Sequence, residues 1–272
     1  MNKIFNQAEL KVGFIGCGKM ANAMIKGVLS SGFLGSDNII ASEISQGLAS
    51  VKKSELGINI LLDNCEVARI CDVIFLAIKP HFIKEVLQEI KEELQGKLVV
   101  SIAAGVKTKS IEDQIGEVAV IRVMPNAPAV IKEGMSGIVK GNFADEDDVN
   151  FVKEFMSNIG KCIVVEEAQI DVLTAISGSG PAFFYKIIHE MALAGEKLGL
   201  DYEKSKFLAI QTAIGSAKLM QSSNLNAQDM INMVATKGGC TEVGVEYMNE
   251  INTKELFFEL IKRTAKKSKE LG

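Results

Sequence analysis

The sequence predicts a doubly wound parallel α/β sheet over residues 1–165, followed by an all-helical domain over residues 166–272. Three observations carry this reading. Short apolar runs alternate with helical stretches through the first part of the chain, a glycine-rich turn joins the first run to the first helix, and strand-like runs cease near Glu166. Strand–helix alternation is the pattern of parallel sheets with helices on both faces.

The elements follow in order. Lys11–Ile15 (KVGFI) reads as the first strand, and Met20–Ser31 carries apolar residues at helical spacing. Asn38–Ala41, Val73–Ala77, Leu98–Ile102 and Val118–Met124 are further strands. Each is a short continuous apolar run, as expected when both faces of a strand are covered. The charged stretch Phe82–Gln95 separates two of them as a helix. Beyond Glu166 the spacing predicts helices over Ala168–Ser177, Pro181–Leu198, Tyr202–Gln221, Ala227–Val234 and from Glu242 onward. Pro181 suits a first helical turn and Gly199 a helix stop.

Composition narrows the function classes. A chain of 272 residues, 47% hydrophobic and 24% charged, buries a substantial core without covalent staples. A net charge of −4 offers no basic field to nucleic acid, and the cationic run Lys262–Lys269 reads as a solvated helix face favoured by the dipole. Cys17, Cys65, Cys71, Cys162 and Cys240 form no CxxC pair, and His81 and His189 are the only histidines, so zinc-ligand spacing is missing and no metal is expected. Scattered free cysteines fit a reducing cytosol. No apolar leader-like run precedes Lys11, and no apolar stretch reaches the ~20 residues of a membrane span.

Gly16-Cys17-Gly18-Lys19-Met20-Ala21 directly follows the first strand and opens the first helix. This is a GxGxxA dinucleotide fingerprint in Rossmann context. The first glycine permits the tight turn, the second lets a pyrophosphate approach the backbone, and the small alanine lets helix and strand pack closely. Free N–H groups and the positive dipole end of the helix then face the phosphates. The end of the second strand reads Ala41-Ser42-Glu43, and Glu43 stands about where a ribose-binding acid is expected, ~20 residues on. A carboxylate there accepts from a 2′-hydroxyl and repels a 2′-phosphate, which leans towards NADH, although Ser42 is able to hydrogen-bond a phosphate. The cofactor expected is therefore NADP or NAD in reduced form.

Further motifs are Ala77-Ile78-Lys79-Pro80, Ala103-Ala104-Gly105, Arg122-Val123-Met124-Pro125-Asn126, Ser177-Gly178-Ser179-Gly180-Pro181-Ala182 and Gly238-Gly239-Cys240-Thr241. In this order and spacing, from Val12 to Lys269, the chain resembles the pyrroline-5-carboxylate reductases. The resemblance implies NAD(P)H-dependent reduction of a cyclic imine to proline. It implies that Ile15, Gly16, Cys17, Gly18, Lys19, Met20, Asn64, Ala77, Ile78, Lys79, Pro80, Ile102, Ala103 and Ala104 line the cofactor. It implies that Cys240 and Thr241 contact the substrate, and that a homodimer forms through the helical domain, with rings of dimers common. Three positions depart from the family pattern: Lys237 replaces a usual proline, Asn224-Leu225-Asn226-Ala227 replaces a glutamate and His-Pro pair, and Glu43 stands where a serine often contacts the NADP phosphate.

The residues fit that chemistry. A protonated imine is already electrophilic, so the protein mainly orients the ring and binds its carboxylate while the cofactor carries the hydride. Holding reactants together supplies roughly 7–11 kcal/mol of barrier reduction. Gly238 and Gly239 allow close backbone approach, the following helix presents unpaired N–H groups, and Thr241 offers a hydroxyl to the substrate nitrogen. Thr241 is thus the catalytic candidate as an orienting partner, with Gly239 and Cys240 beside it; its bland alternative is a helix N-cap. Ser179 and Gly180 form a second helix entrance, near the substrate or else a simple cap before Pro181. Asn126 reads either as a nicotinamide contact or as a turn residue. A helix N-terminus is able to lower the thiol pKa of Cys17 or Cys240, although small buried hydrophobes are the commoner role. Rival readings are another cyclic imine reductase, a β-hydroxyacid dehydrogenase using Lys186, and a non-catalytic nucleotide-binding dimer. Lys186 is out of place for the second, with Glu190 where an asparagine is needed.

Overall fold

The structure is a computed structural model that describes residues 9–271; most of the opening segment read above for a leader lies outside them. The strands are β1 (Val12–Ile15), β2 (Ile39–Ser42), β3 (Asn59–Leu61), β4 (Val73–Leu76), β5 (Leu98–Ser101), β6 (Ala119–Met124), β7 (Gly134–Lys140) and β8 (Gly160–Val164). The helices of the first part are α1 (Lys19–Ser31), α2 (Gln46–Leu56), α3 (Asn64–Ile70), α4 (Ile83–Ile90), α5 (Thr108–Ile115), α6 (Glu146–Ser157) and α7 (Ile170–Leu173). Those of the second are α8 (Gly180–Lys197), α9 (Tyr202–Ser222), α10 (Ala227–Val234), α11 (Cys240–Glu250) and α12 (Thr253–Glu270).

Two compact units result: one runs to Ser179 and includes the segment from Thr264 onward, the other is Gly180–Arg263. In the first unit the strands form one sheet in the order β3-β2-β1-β4-β5-β6-β7-β8. β1 to β6 are parallel; β7 turns antiparallel to β6, and β8 runs parallel to β7. The predicted strands and the doubly wound, mainly parallel sheet are present; the antiparallel β7 adds one mixed pairing of a kind common in large sheets.

Apolar layers cover both faces. On one, Phe14 stacks on Phe75 at 4.8 Å between ring centroids, and Phe155 of α6 lies 4.7 Å from Phe75. On the other, Ile15, Ile74, Leu76 and Val99 meet Leu87 and Ile90 of α4. β1 alternates between these layers, as a pleated strand must. Gly13 of β1 faces α3 so closely that a Cβ would lie 2.8 Å from Val67 Cγ1. Helix ends are set locally. Ser45, Asp63 and Asp145 cap α2, α3 and α6 with their side chains, and Gly32 and Gly57 end α1 and α2 in the left-handed conformation. The end of α3 is closed by a distant residue: Lys97 Nζ donates to the carbonyls of Ala68, Arg69 and Cys71 at 2.5, 2.8 and 2.7 Å.

Strands β3, β7 and β8 have no counterpart in the sequence reading. β3 is a three-residue edge strand, too short to show a period. β7 (GMSGIVK) holds two glycines, and glycine weakens a strand signal. The fold demands them. A Cβ on Gly137 would lie 2.4 Å from Leu173 Cδ1, and one on Gly134 would lie 2.8 Å from the Ile159 carbonyl oxygen.

The Gly180–Arg263 unit is helical but buries little. Ala192, Ser205, Ala209 and Met230 are inside, whereas Phe184, Tyr185, Phe207, Val243 and Tyr247 are more than half exposed. α8 and α9 meet where a Cβ on Gly195 would come 2.3 Å from Ser205 Oγ. The helix expected from Glu242 onward is two helices. It begins at Cys240 and breaks at Asn252, whose φ of 53° is left-handed. The stretch expected as one helix over Ala168–Ser177 is a 3₁₀ turn (Glu167–Gln169), α7 and a π turn (Thr174–Gly178). The lysines of the C-terminal run are exposed, as expected. Among the described residues, no helix is long and apolar enough to cross a membrane.

Replacing Lys97 by methionine leaves the three terminal carbonyls of α3 without their charged donor. Urea denaturation is expected to show a loss of roughly 2–3 kcal/mol, the scale of charge-assisted hydrogen bonds. A loss below about 0.5 kcal/mol, the range of ordinary surface changes, would mean that water replaces the ammonium at no cost.

Candidate active site

The strand order reverses between β1 and β4, and ligands of such sheets bind in the crevice beyond the carboxyl ends of the strands at that point. Gly16 leaves β1 with a φ of +88°, and a Cβ on it would lie 2.8 Å from Ile78 Cγ2 and 3.0 Å from the Ala77 carbonyl oxygen. Only glycine fits there, by both conformation and space. Gly18 is the N-cap of α1 and makes no side-chain cap bond. A Cβ on it would meet nothing within 4 Å. The first-turn amides of α1, from Lys19 and Met20 onward, therefore border open space, and the cradle fits a diphosphate.

Cys17 points the other way. It is buried in the apolar layer with Phe14 and Met24. Burial first, and the Glu43 carboxylate second, push its thiol up to about 11. Of the two readings of Cys17, the small buried residue is the one the fold adopts: burial keeps the thiol protonated at neutral pH.

Beside the turn, a cleft of about 290 Å³ is lined by Ile15, Gly16, Ser42, Glu43, Asn64 and Ile78, all expected, and by Ile44, Leu62, Phe82, Glu85, Val86 and Glu89, which were not. Hydrogen bonds knit its floor. Gly16 N donates to Ser42 Oγ at 3.3 Å, Ser42 Oγ donates to Asn64 Oδ1 at 2.7 Å, and Asn64 Nδ2 donates to Glu89 Oε2 at 2.9 Å. Of the unexpected residues, Ile44 had the clearest sequence signal, an apolar residue just past a strand end, and the fold leaves it 93% exposed. Lys79 and Pro80 open an exposed 3₁₀ turn after β4, and Ile102, Ala103 and Ala104 follow β5 on the same sheet edge. Ala77 N–H donates to the Ile15 carbonyl and Ile102 N–H to the Leu76 carbonyl, which holds these segments side by side.

Asn126 is buried and uses its amide within the chain. Nδ2 donates to the Ser177 carbonyl at 3.0 Å, and Oδ1 accepts from Met135 N at 2.9 Å. Ser177 is four residues before Pro181, which has no N–H to offer it, so the asparagine supplies the missing donor. Ser179 N donates to the Thr174 carbonyl, closing the π turn. Ser179 remains right-handed (φ −89°, ψ −24°) and leads into Gly180 of α8. The motif is a π turn running into a helix rather than an extended cap, and such turns are frequent at functional sites.

In the helical unit, Gly238 has a φ of +76°, and a Cβ on Gly239 would lie 2.9 Å from the Thr236 carbonyl oxygen. Gly239 is the N-cap of α11 and makes no side-chain cap bond. Cys240 is exposed, and Glu242 Oε2 accepts from Gly238 N at 2.6 Å. Thr241 lies inside the first turn, so it is not the cap. It is partly exposed, and its hydroxyl has no hydrogen-bond partner among the described residues. Lys186, needed by a rival chemistry, is ion-paired with Glu190 on an exposed face of α8. Asp63, Cys65 and Glu89 approach one another within 4.8 Å, but these groups already have partners. Asp63 caps α3, the Cys65 thiol donates to the Glu89 carbonyl oxygen, and the Glu89 carboxylate accepts from Asn64.

Residues 167–271 match the family described as pyrroline-5-carboxylate reductase dimerisation, and residues 11–105 match that described as NADP oxidoreductase, coenzyme F420-dependent. The pyrroline-5-carboxylate reductase of Methanosarcina acetivorans is 36% identical over 264 residues, which cover 96% of this chain and 98% of the relative. The chain belongs to the pyrroline-5-carboxylate reductase family.

Solved reductases agree. That from Coxiella burnetii superposes with a TM-score of 0.92 at 32% identity, covering 97% of this chain and 99% of the other. That from Plasmodium falciparum, solved with NADP bound, gives a TM-score of 0.87 at 30% identity, covering 99% of each chain. Membership accounts for the helical unit of this reductase. A helical layer that leaves Phe184, Phe207 and Tyr247 in water lacks a core of its own, and burying large apolar patches is what an obligate interface does.

Burial predicts the reactivity of the Cys17 thiol in the glycine turn. At about pH 7, iodoacetamide is expected to leave Cys17 unmodified in the folded reductase and to label it only in urea, as read by peptide mass spectrometry. Rapid labelling of native Cys17 would contradict its inward placement.

Proposed function

We propose that this protein reduces 1-pyrroline-5-carboxylate to L-proline, with NAD(P)H as the hydride donor. The observation that carries the reading is a pair of helix entrances in one family-matched chain. Gly18 opens α1 and Gly239 opens α11, and neither makes a side-chain cap bond. Uncapped first turns present free amides to anions, which suits a diphosphate at the first and a substrate carboxylate at the second.

The chain's own residues divide the task. Residues 1–165 form the dinucleotide-binding domain, with Gly16 and Gly18 bringing the backbone to the diphosphate. Ser42, Glu43 and Asn64 stand at the ribose, and Ala77–Pro80 with Ile102–Ala104 flank the remainder of the cofactor. Residues 166–272 form the substrate and dimerisation domain. Gly239 and Cys240 shape the substrate loop, while the Thr241 hydroxyl orients the imine nitrogen. Ser179 and Gly180 border the substrate, and Asn126 holds the π turn that precedes them. The bound nicotinamide supplies the hydride. A hydroxyl is too weak an acid to protonate an imine, so the proton comes with the substrate or from water. The protein works as a homodimer in the cytoplasm, with rings of dimers as the larger assembly.

Thr241→Ala is expected to lower kcat by about tenfold or more, roughly 1.4 kcal/mol of transition-state stabilisation, with little change in dinucleotide affinity. Wild-type turnover in that variant would make Thr241 a bystander. The wild-type protein is expected to oxidise NAD(P)H with pyrroline-5-carboxylate and to ignore β-keto acids. Turnover with β-keto acids alone would overturn the assignment, and so would nucleotide binding without turnover of any imine.

A further inference from the structure

The cleft at the end of β2 carries one sign of charge. Glu43, Glu85 and Glu89 line it, and among the described residues no lysine or arginine does. Glu43 is fixed at the sheet edge by its backbone, whose N–H donates to the Leu61 carbonyl at 3.0 Å. Its carboxylate accepts from Ile44 N at 3.3 Å. The neutral group best able to donate to a phosphate there is the Ser42 hydroxyl, but its single proton is given to Asn64. Lys52, on the neighbouring α2, is held by Glu55 at 2.9 Å, and the other Glu55 oxygen is held by Lys26 at 2.7 Å.

We propose that Glu43 makes this reductase select NADH over NADPH, by accepting a hydrogen bond from the adenosine 2′-hydroxyl and repelling a 2′-phosphate. The proposal rests on the cleft being the cofactor site assigned above. A phosphate ester carries about −1.5 to −2 charges at neutral pH. Placed beside Glu43, it enters the field of three carboxylates with no free cation in the lining, whereas a hydroxyl only adds a donor that Glu43 is able to accept. Glu85 and Glu89 act through the field. Glu43, adjacent to Ser42 at the strand end, is the residue placed for direct contact.

The test is binding to the full-length protein, followed by calorimetry or by the fluorescence of the reduced dinucleotides. The wild type is expected to bind NADH about tenfold or more tightly than NADPH, the scale of a ~1.4 kcal/mol difference. The gap should narrow by several fold in Glu43→Gln, which keeps the side chain's size, and further in Glu43→Ser. It should also narrow in the wild type as salt rises to ~0.5 M, because like-charge repulsion at an open cleft is screened. That measurement needs no variant to fold. Equal or tighter binding of NADPH by the wild type would overturn the proposal, as would a gap unmoved by both Glu43→Gln and salt. Binding of neither dinucleotide would instead overturn the cofactor assignment beneath it.

Discussion

The turn at Gly16 is the constraint on which the rest of the first unit depends. Its left-handed backbone brings the chain against Ala77 and Ile78 at the end of β4, closer than any side chain permits. Its N–H is tied to Ser42 at the end of β2. The N-terminus of α1 is thereby held at the point where the strand order reverses. The layer beneath is rigid in the same sense: Phe14 of β1 is stacked on Phe75 of β4 and backed by Phe155. Close packing transmits small displacements, so the glycine turn and the aromatic layer behave as one piece.

Charge within the cleft follows from that geometry. Ser42, Asn64 and Glu89 form a chain of hydrogen bonds leading from the glycine turn to α4. That chain occupies Ser42, Asn64 and Glu89, whereas the Glu43 carboxylate is held only by its neighbour's Ile44 N–H and stands at the strand end where a ligand would meet it. Cys17 shows how steeply conditions change over one residue. Its neighbour Gly16 lines the cleft and Gly18 borders open space, while its own side chain lies in an apolar layer that holds the proton on sulfur. A thiol at a helix N-terminus is reactive only where water reaches it.

The helical unit obeys a different logic. It carries large apolar side chains in water and little interior, so its sequence is written for an interface as much as for a core. Its substrate-loop candidate, Gly239-Cys240-Thr241, is defined by local backbone: a glycine cap, a first turn without side-chain capping, and a hydroxyl with no partner among the described residues. The π turn that precedes it in the chain is braced by Asn126, which supplies to the Ser177 carbonyl the donor that Pro181 lacks. A residue read from sequence as a nicotinamide contact or a turn is thus engaged in bracing the π turn.

Much of the plan was legible in the sequence. The glycine turn, the buried strands of the parallel sheet and the helical second half all announce themselves through local rules: conformational freedom at glycine, continuous apolar runs, and spacing near 3.6. Glu43 and Ser42 were identifiable by their distance from the fingerprint. What stayed hidden depends on contacts between distant residues. Gly134 and Gly137 look like strand breakers until Ile159 and Leu173 press against them, which is why β7 went unread. The same holds for the Lys97 ammonium closing α3 and for Glu85 and Glu89 entering the cleft beside the glycine turn. Sequence by itself determined the element types and the chemical kind of the site, because those follow from each residue's own backbone and polarity. Only the tertiary structure decided which way Cys17, Asn126 and the cleft acids face, because burial and partnership are properties of what the fold brings alongside.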